Sequence, residues 1–199
     1  MNFSENVRSA FRRGETGAVV RMSEAEIERA RAAGDPAGEV EARYSLARVA
    51  IRGGDLPGGA ARAGEALEVA LRSGDRRLEE RPRHVLAAVA RMSGDLLRAR
   101  DLYRESIALN ESLDQPMTVN SEYHNLAFCE LGLGNLDGAR NLFAEGRERV
   151  FRNGWADFVP YVCVAGRRAR LGRSGSPAGG ADDRCRGRRV RVARPGAGP

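Results

Sequence analysis

A period of 40 residues runs through the chain and limits what it can fold into. Gly14, Gly54, Gly94 and Gly134 are evenly spaced, and Glu15, Asp55, Asp95 and Asn135 follow them. A second set of turn residues lies half a period away: Gly34-Asp35, Gly74-Asp75, Leu113-Asp114 and Asn153-Gly154. Leu46-Ala47, Leu86-Ala87 and Leu126-Ala127 recur in the same register, as do Ile27, Leu67 and Ile107. Several columns agreeing at one period are the signature of a repeat architecture.

Each repeat reads as two helices. Apolar residues recur at steps of three and four, as in Leu46, Val49 and Ala50, or Leu86, Val89 and Ala90, which is helical rather than strand periodicity. A Gly can take the left-handed conformation that ends one helix. The Asp or Asn after it can accept the free amides that start the next. First helices are expected near 2–13, 37–52, 77–93, 117–133 and 157–171, and second helices near 17–33, 56–73, 96–113 and 136–153. Pro36, Pro116 and Pro160 stand near expected helix starts, where proline is tolerated. Pro57-Gly58-Gly59 predicts fraying at the start of one second helix.

These columns resemble the tetratricopeptide repeat family in its longer, about 40-residue bacterial form. Leu126-Ala127, Gly134, Ala139, Phe143 and Gly146 carry the best match. Leu86-Ala87, Gly94, Ala99, Tyr103 and Ser106 come next, and Leu46-Ala47, Gly54, Gly59, Ala63 and Ala66 are weaker. The resemblance covers residues 2–172. It implies an all-α, right-handed superhelical array of antiparallel helix pairs (a solenoid) over 1–172, whose first helices line a concave groove for a peptide or a partner's helix. The function implied is a non-catalytic protein–protein interaction module or scaffold. The alternative is a ligand- or peptide-sensing effector domain of a bacterial transcription regulator, of which this chain would be a truncated fragment.

Phase assigns the groove-facing residues. Tyr44, His84 and His124 form one column, Arg81 belongs to a second beside Glu41, Ser121 and Tyr161, and Arg48 and Phe128 to a third, with Arg52, Arg91 and Asn125 near them. Arg, His and aromatic residues together suit an acidic or amphipathic peptide, since aromatics and Arg are enriched at interfaces. A carboxylate clamp of the kind some tetratricopeptide domains use is not expected: the corresponding places hold Tyr44, Arg48, Val85 and Asn125, and only Asn125 fits. His84 and His124 sit one repeat apart and could face each other across the groove. They lack the additional closely spaced ligands a metal site needs, so no metal or cofactor is expected. Cys129 and Cys163 read as small buried hydrophobes, Glu79-Glu80 as salt-bridge partners for nearby Arg, and Gly132-Leu133-Gly134 as a helix end. No catalytic constellation is present in the pattern.

Charge separates the array from its end. The chain carries a net +6, and every basic residue is Arg. Up to Gly172, 26 Arg face 25 acidic residues, whereas 173–199 holds 7 Arg against 2 Asp. The array is therefore nearly neutral, and nucleic acid is expected to bind only through the tail. Residues 173–199 are rich in Arg, Gly, Ala and Pro and cannot bury a core. That stretch reads as a disordered basic tail, a passive linker, or out-of-frame translation of a longer repeat protein. The last is favoured, because the break falls inside a repeat. Apolar surface at the cut ends would then invite pairing of two copies. No apolar run long enough to span a membrane is present. Three cysteines and no signal peptide fit a reducing cytoplasm, and abundant Arg, Ala and Gly fit a GC-rich bacterial genome.

Overall fold

The computed structural model describes residues 2–163. Eight helices follow one another: α1 (Phe3–Arg13), α2 (Thr16–Ala33), α3 (Pro36–Arg52), α4 (Leu56–Ser73), α5 (Glu80–Met92), α6 (Leu96–Ser112), α7 (Pro116–Gly132) and α8 (Leu136–Arg152). A 3-10 turn, Arg76–Glu79, precedes α5, and another, Ala156–Phe158, leads into a helical segment over 159–163. No strand occurs among the described residues. Each helix packs on the next in the chain, and α3, α5 and α7 also touch in series. The first helices therefore form one continuous face, with the second helices behind them.

The turns work as the sequence requires. Gly14, Gly34, Gly54, Gly74, Gly94, Gly134 and Gly154 all have positive φ, where a Cβ is penalised. Asp114 takes the same conformation at φ 54, the one residue other than glycine to do so among those described. The side chains of Asp35, Asp55, Asp95 and Asn135 accept amides at the starts of α3, α4, α6 and α8. Each such cap is worth about 1 kcal/mol. Pro36 and Pro116 occupy the first turns of α3 and α7.

Two local expectations are corrected. The helix expected from residue 77 opens as a 3-10 turn, in which the Leu78 amide donates to the Asp75 carbonyl at 3.0 Å and the Asp75 side chain accepts from the Arg77 amide. The α4 start is regular from Leu56 instead of frayed. Asp55 accepts from the Gly58 amide, and Gly59 is buried against α3, where a Cβ would lie 2.6 Å from Ile51 Cγ1. Gly59 thus takes the small-residue position that Ala99 and Ala139 occupy in later repeats, both of them buried.

The core runs along the array as linked clusters. Ala87, Ala90, Ala99, Tyr103, Ile107, Val119, Leu126 and Cys129 fill the α5–α6–α7 junction. Ala127, Ala139 and Phe143 fill the next. Alanines at the crossings let helix axes approach at the near end of the usual 8–10 Å range. Cys129 is buried and free, and burial pushes its thiol up, as for an inert packing residue. Cys163 is half-buried rather than the fully buried small hydrophobe expected. The expected tail at 173–199 and the remainder of the fifth first-helix lie outside the described residues.

Candidate functional site: the face of the first helices

The predicted groove residues fall into three groups along α3, α5 and α7. At the N-terminal end, the Arg48 guanidinium lies 4.0 Å from the centre of the Phe11 ring and 5.6 Å from that of Tyr44. Arg81 covers the other side of this group, 5.3 Å from the Tyr44 ring, and is ion-paired with Glu41. Arg52 stacks on Phe11 at 4.7 Å and donates to the Phe11 carbonyl at 2.7 Å, so it closes the end of α1 and is not directed to a ligand. Ser4, Arg8, Tyr44, Ser45, Arg48 and Arg81 line a cleft of about 270 Å³ there. Among the described residues, Arg8 and Arg48 have neither an acidic partner nor a hydrogen bond.

The middle of the face is a buried polar cluster. Glu122 is fully buried on α7, and its Oε1 accepts from Ser106 Oγ at 2.9 Å and meets His84 Nδ1 at 2.8 Å. Asn110 donates to the Ser106 carbonyl at 2.8 Å. Burial opposes the charged form of His84, but the Glu122 hydrogen bond, with the charges of Glu122 and Glu80, prevails and raises the imidazole above its ordinary value. Burial also pushes the Tyr103 phenol up to about 12, against the nearby Arg91 charge. Arg91 Nε and the Tyr103 hydroxyl are buried without hydrogen-bond partners. The cluster ties α5, α6 and α7 together, and Arg91 belongs to its floor more than to an open surface.

The C-terminal end is aromatic. His124 packs edge-on against Phe128 at 5.0 Å, Phe143 at 5.8 Å and Tyr161 at 6.5 Å. Phe128 also meets Phe143 at 5.1 Å. Burial, with the Arg91 charge, lowers the His124 imidazole below its ordinary value. His84 and His124 share a phase but have opposite surroundings, and each ring is committed to its own neighbours. Asn125 lies half-buried on the wall of a cavity of about 520 Å³. No group of three or more His, Cys, Asp or Glu able to hold a metal ion occurs among the described residues.

Sequence reasoning missed Glu122 as a site residue, because a carboxylate within a helix reads as solvent-facing. Its column offers a signal: the residues 40 before and after it, Pro82 and Val162, are both buried. The role of Phe11 as the platform for Arg48 and Arg52 was also missed, since only folding brings α1 beside α3.

No family model matches the chain, and no curated protein matches it in sequence. Solved structures do. RapI, in its apo form, superposes with a TM-score of 0.74 at 13% identity, covering 82% of this chain. The chain spans 58% of RapI's length. The TPR domain of Arabidopsis FLU matches at 0.54 and 18% identity, over 57% of this chain and 95% of that domain. A putative kinesin light chain of Podosopora anserina with nearly identical TPR-like repeats matches at 0.60 and 13% identity, over 87% of this chain and 96% of that one. At these identities the likeness establishes the fold: a right-handed superhelical array of tetratricopeptide-like helix pairs.

Proposed function

We propose that this tetratricopeptide-like array is a non-catalytic protein-interaction module, and that the face of α3, α5 and α7 takes an acidic peptide or helix of a partner. The observation that carries this is Arg48. Arg48 is half-buried and its guanidinium is held over Phe11 with no carboxylate partner among the described residues, and Arg8 lines the same cleft likewise unpaired there. A cation so placed is fixed before the ligand arrives, so less side-chain freedom is lost on binding. An Arg fork also favours bidentate pairing with a carboxylate. Glu41, the acidic neighbour in the cleft, is already paired with Arg81, so it repels an incoming acid less. Aromatic rings at the other end of the face would supply an apolar anchor.

The test is selection of twelve-residue peptides from a random display library on the whole chain. Selected peptides should carry Asp or Glu clusters and lose at least tenfold in affinity on Arg48→Glu with Arg8→Glu. Peptides without acidic enrichment, or with unchanged affinity for the variant, would remove the assignment. No helix among the described residues is long and apolar enough to cross a membrane; placement in the cytoplasm is part of the proposal. The ligand-sensing alternative is favoured by one observation, the cavity at the C-terminal end.

A further inference from the structure

The repeat register allows two successive junctions to be compared position by position. In the junction of α5, α6 and α7, Ser106 and Glu122 fill the space between the helices, and the carboxylate closes it by bonding to His84. Forty residues later the same positions hold Gly146, Val162 and His124. The hydroxyl and the carboxylate are both missing, so the closing network cannot form. Among the described residues the space is a cavity of about 520 Å³ between α7, α8 and the segment 157–162.

Several polar groups at this opening have no hydrogen-bond partner among the described residues. Asn120 is 1% exposed, and its Oδ1 is buried with no hydrogen bond. A Cβ at Gly146 would stand 3.5 Å from that oxygen, so the glycine leaves room beside it. Neither nitrogen of His124 nor the Asn125 amide forms a hydrogen bond among the described residues. An amide left buried and unpaired is costly, and a ligand with a matching donor and acceptor would recover that cost. Leu142, Phe143, Phe158, Tyr161 and Val162 supply the apolar wall. Among the described residues, Asp157, at the exposed rim, is the only charged one in the lining, so none of them offers an anion a counter-charge. A dry cavity of about 150 Å³ holds one benzene ring; this one has space for a ring pair with substituents, within the range of small-molecule sites.

We propose that the junction of α7, α8 and segment 157–162 is a binding site for an uncharged, flat, two-ring molecule bearing adjacent hydrogen-bond donor and acceptor groups. The Asn120 and Asn125 amides orient it, and the rings of His124, Phe143 and Tyr161 pack against it. The lowered proton affinity of His124 keeps the wall uncharged near neutrality. The site does not rest on the acidic-peptide proposal.

Quinolin-2-one is the probe: two fused rings with neighbouring N–H and C=O. Saturation-transfer NMR and titration calorimetry on the whole chain should show saturable binding. N-methylation of the probe removes the donor and should weaken it at least fivefold. Gly146→Ser with Val162→Glu rebuilds the closure found one repeat earlier and should weaken binding at least tenfold. Asn120→Leu, which keeps the volume and removes the amide, should do the same and decides the matter if the rebuilt variant fails to fold. Arg48→Glu should leave probe binding unchanged, so failure of this site and failure of the peptide cleft are distinguishable. Absence of saturable binding to the natural chain, or binding to the closed and Asn120→Leu variants as tight as to the natural chain, would overturn the proposal.

Discussion

Glu122 is the residue on which the middle of the array most depends. Replacing it with Leu removes two hydrogen bonds, one from Ser106 and one shared with His84. A hydrogen bond to a charged group contributes about 1.5–3 kcal/mol. The His84 side chain is 37% exposed, so solvent takes up part of its loss, and the lower end applies. Removing the buried, unpartnered Glu122 Oε2 returns a fraction as well. We therefore expect about 2–3 kcal/mol, a melting shift of roughly 4–12 °C for a domain of this size. The assay is urea denaturation followed by helical circular dichroism, run as a double-mutant cycle with His84→Leu. In the His84→Leu background the cost of Glu122→Leu should fall by about 1.5 kcal/mol, because an apolar pair of similar volume can replace a buried ionic one with little loss. Additive costs, or a Glu122→Leu midpoint equal to the natural one, would show that the cluster does not join the three helices.

Asp114→Gly should raise stability by about 1 kcal/mol, read as a higher urea midpoint, because Asp114 holds a left-handed conformation at φ 54 that glycine adopts freely. Ala127→Leu should lower stability by about 1–3 kcal/mol in the same assay, since Ala127 is fully buried against Ala139 and Phe143. The two histidines should titrate in opposite directions by NMR, His84 above the ordinary imidazole value and His124 below it. The His84 contribution to stability is therefore full below the unfolded imidazole value and lost as pH rises through the raised folded one. That of His124 is full above the unfolded value and lost as pH falls through the lowered folded one. His84→Gln should remove the first slope, and His124→Gln the second, in urea midpoints measured across that range.

The fold was legible because its punctuation is local. A glycine forced to positive φ and a carboxylate capping three residues later are properties of short segments, and they recur every 40 residues. The small-residue columns were legible too, since steric closeness leaves Ala or Gly little alternative. The site was only partly legible. Phase placed Tyr44, Arg48, Arg81, His84 and His124 on one face. It could not show that Arg52 is engaged by a Phe11 carbonyl 41 residues away. It also could not show that Arg91 has a buried nitrogen. Glu122 escaped notice because burial of a carboxylate depends on two partners, His84 and Ser106, on other helices. The open cavity arises from what Gly146 and Val162 lack, a difference visible only when one repeat is laid on the next.

The interaction claim is tested most directly by a charge swap at the Arg48 cleft. Fluorescence polarisation would follow one selected acidic peptide and its counterpart with Lys in place of each acid, against the natural chain and Arg48→Glu with Arg8→Glu. The acidic peptide should bind the natural chain and lose at least tenfold on the variant, while the Lys peptide should gain on the variant and bind the natural chain poorly. An acidic peptide held equally by both proteins, with no gain for the Lys peptide, would contradict the assignment of this face as the binding surface.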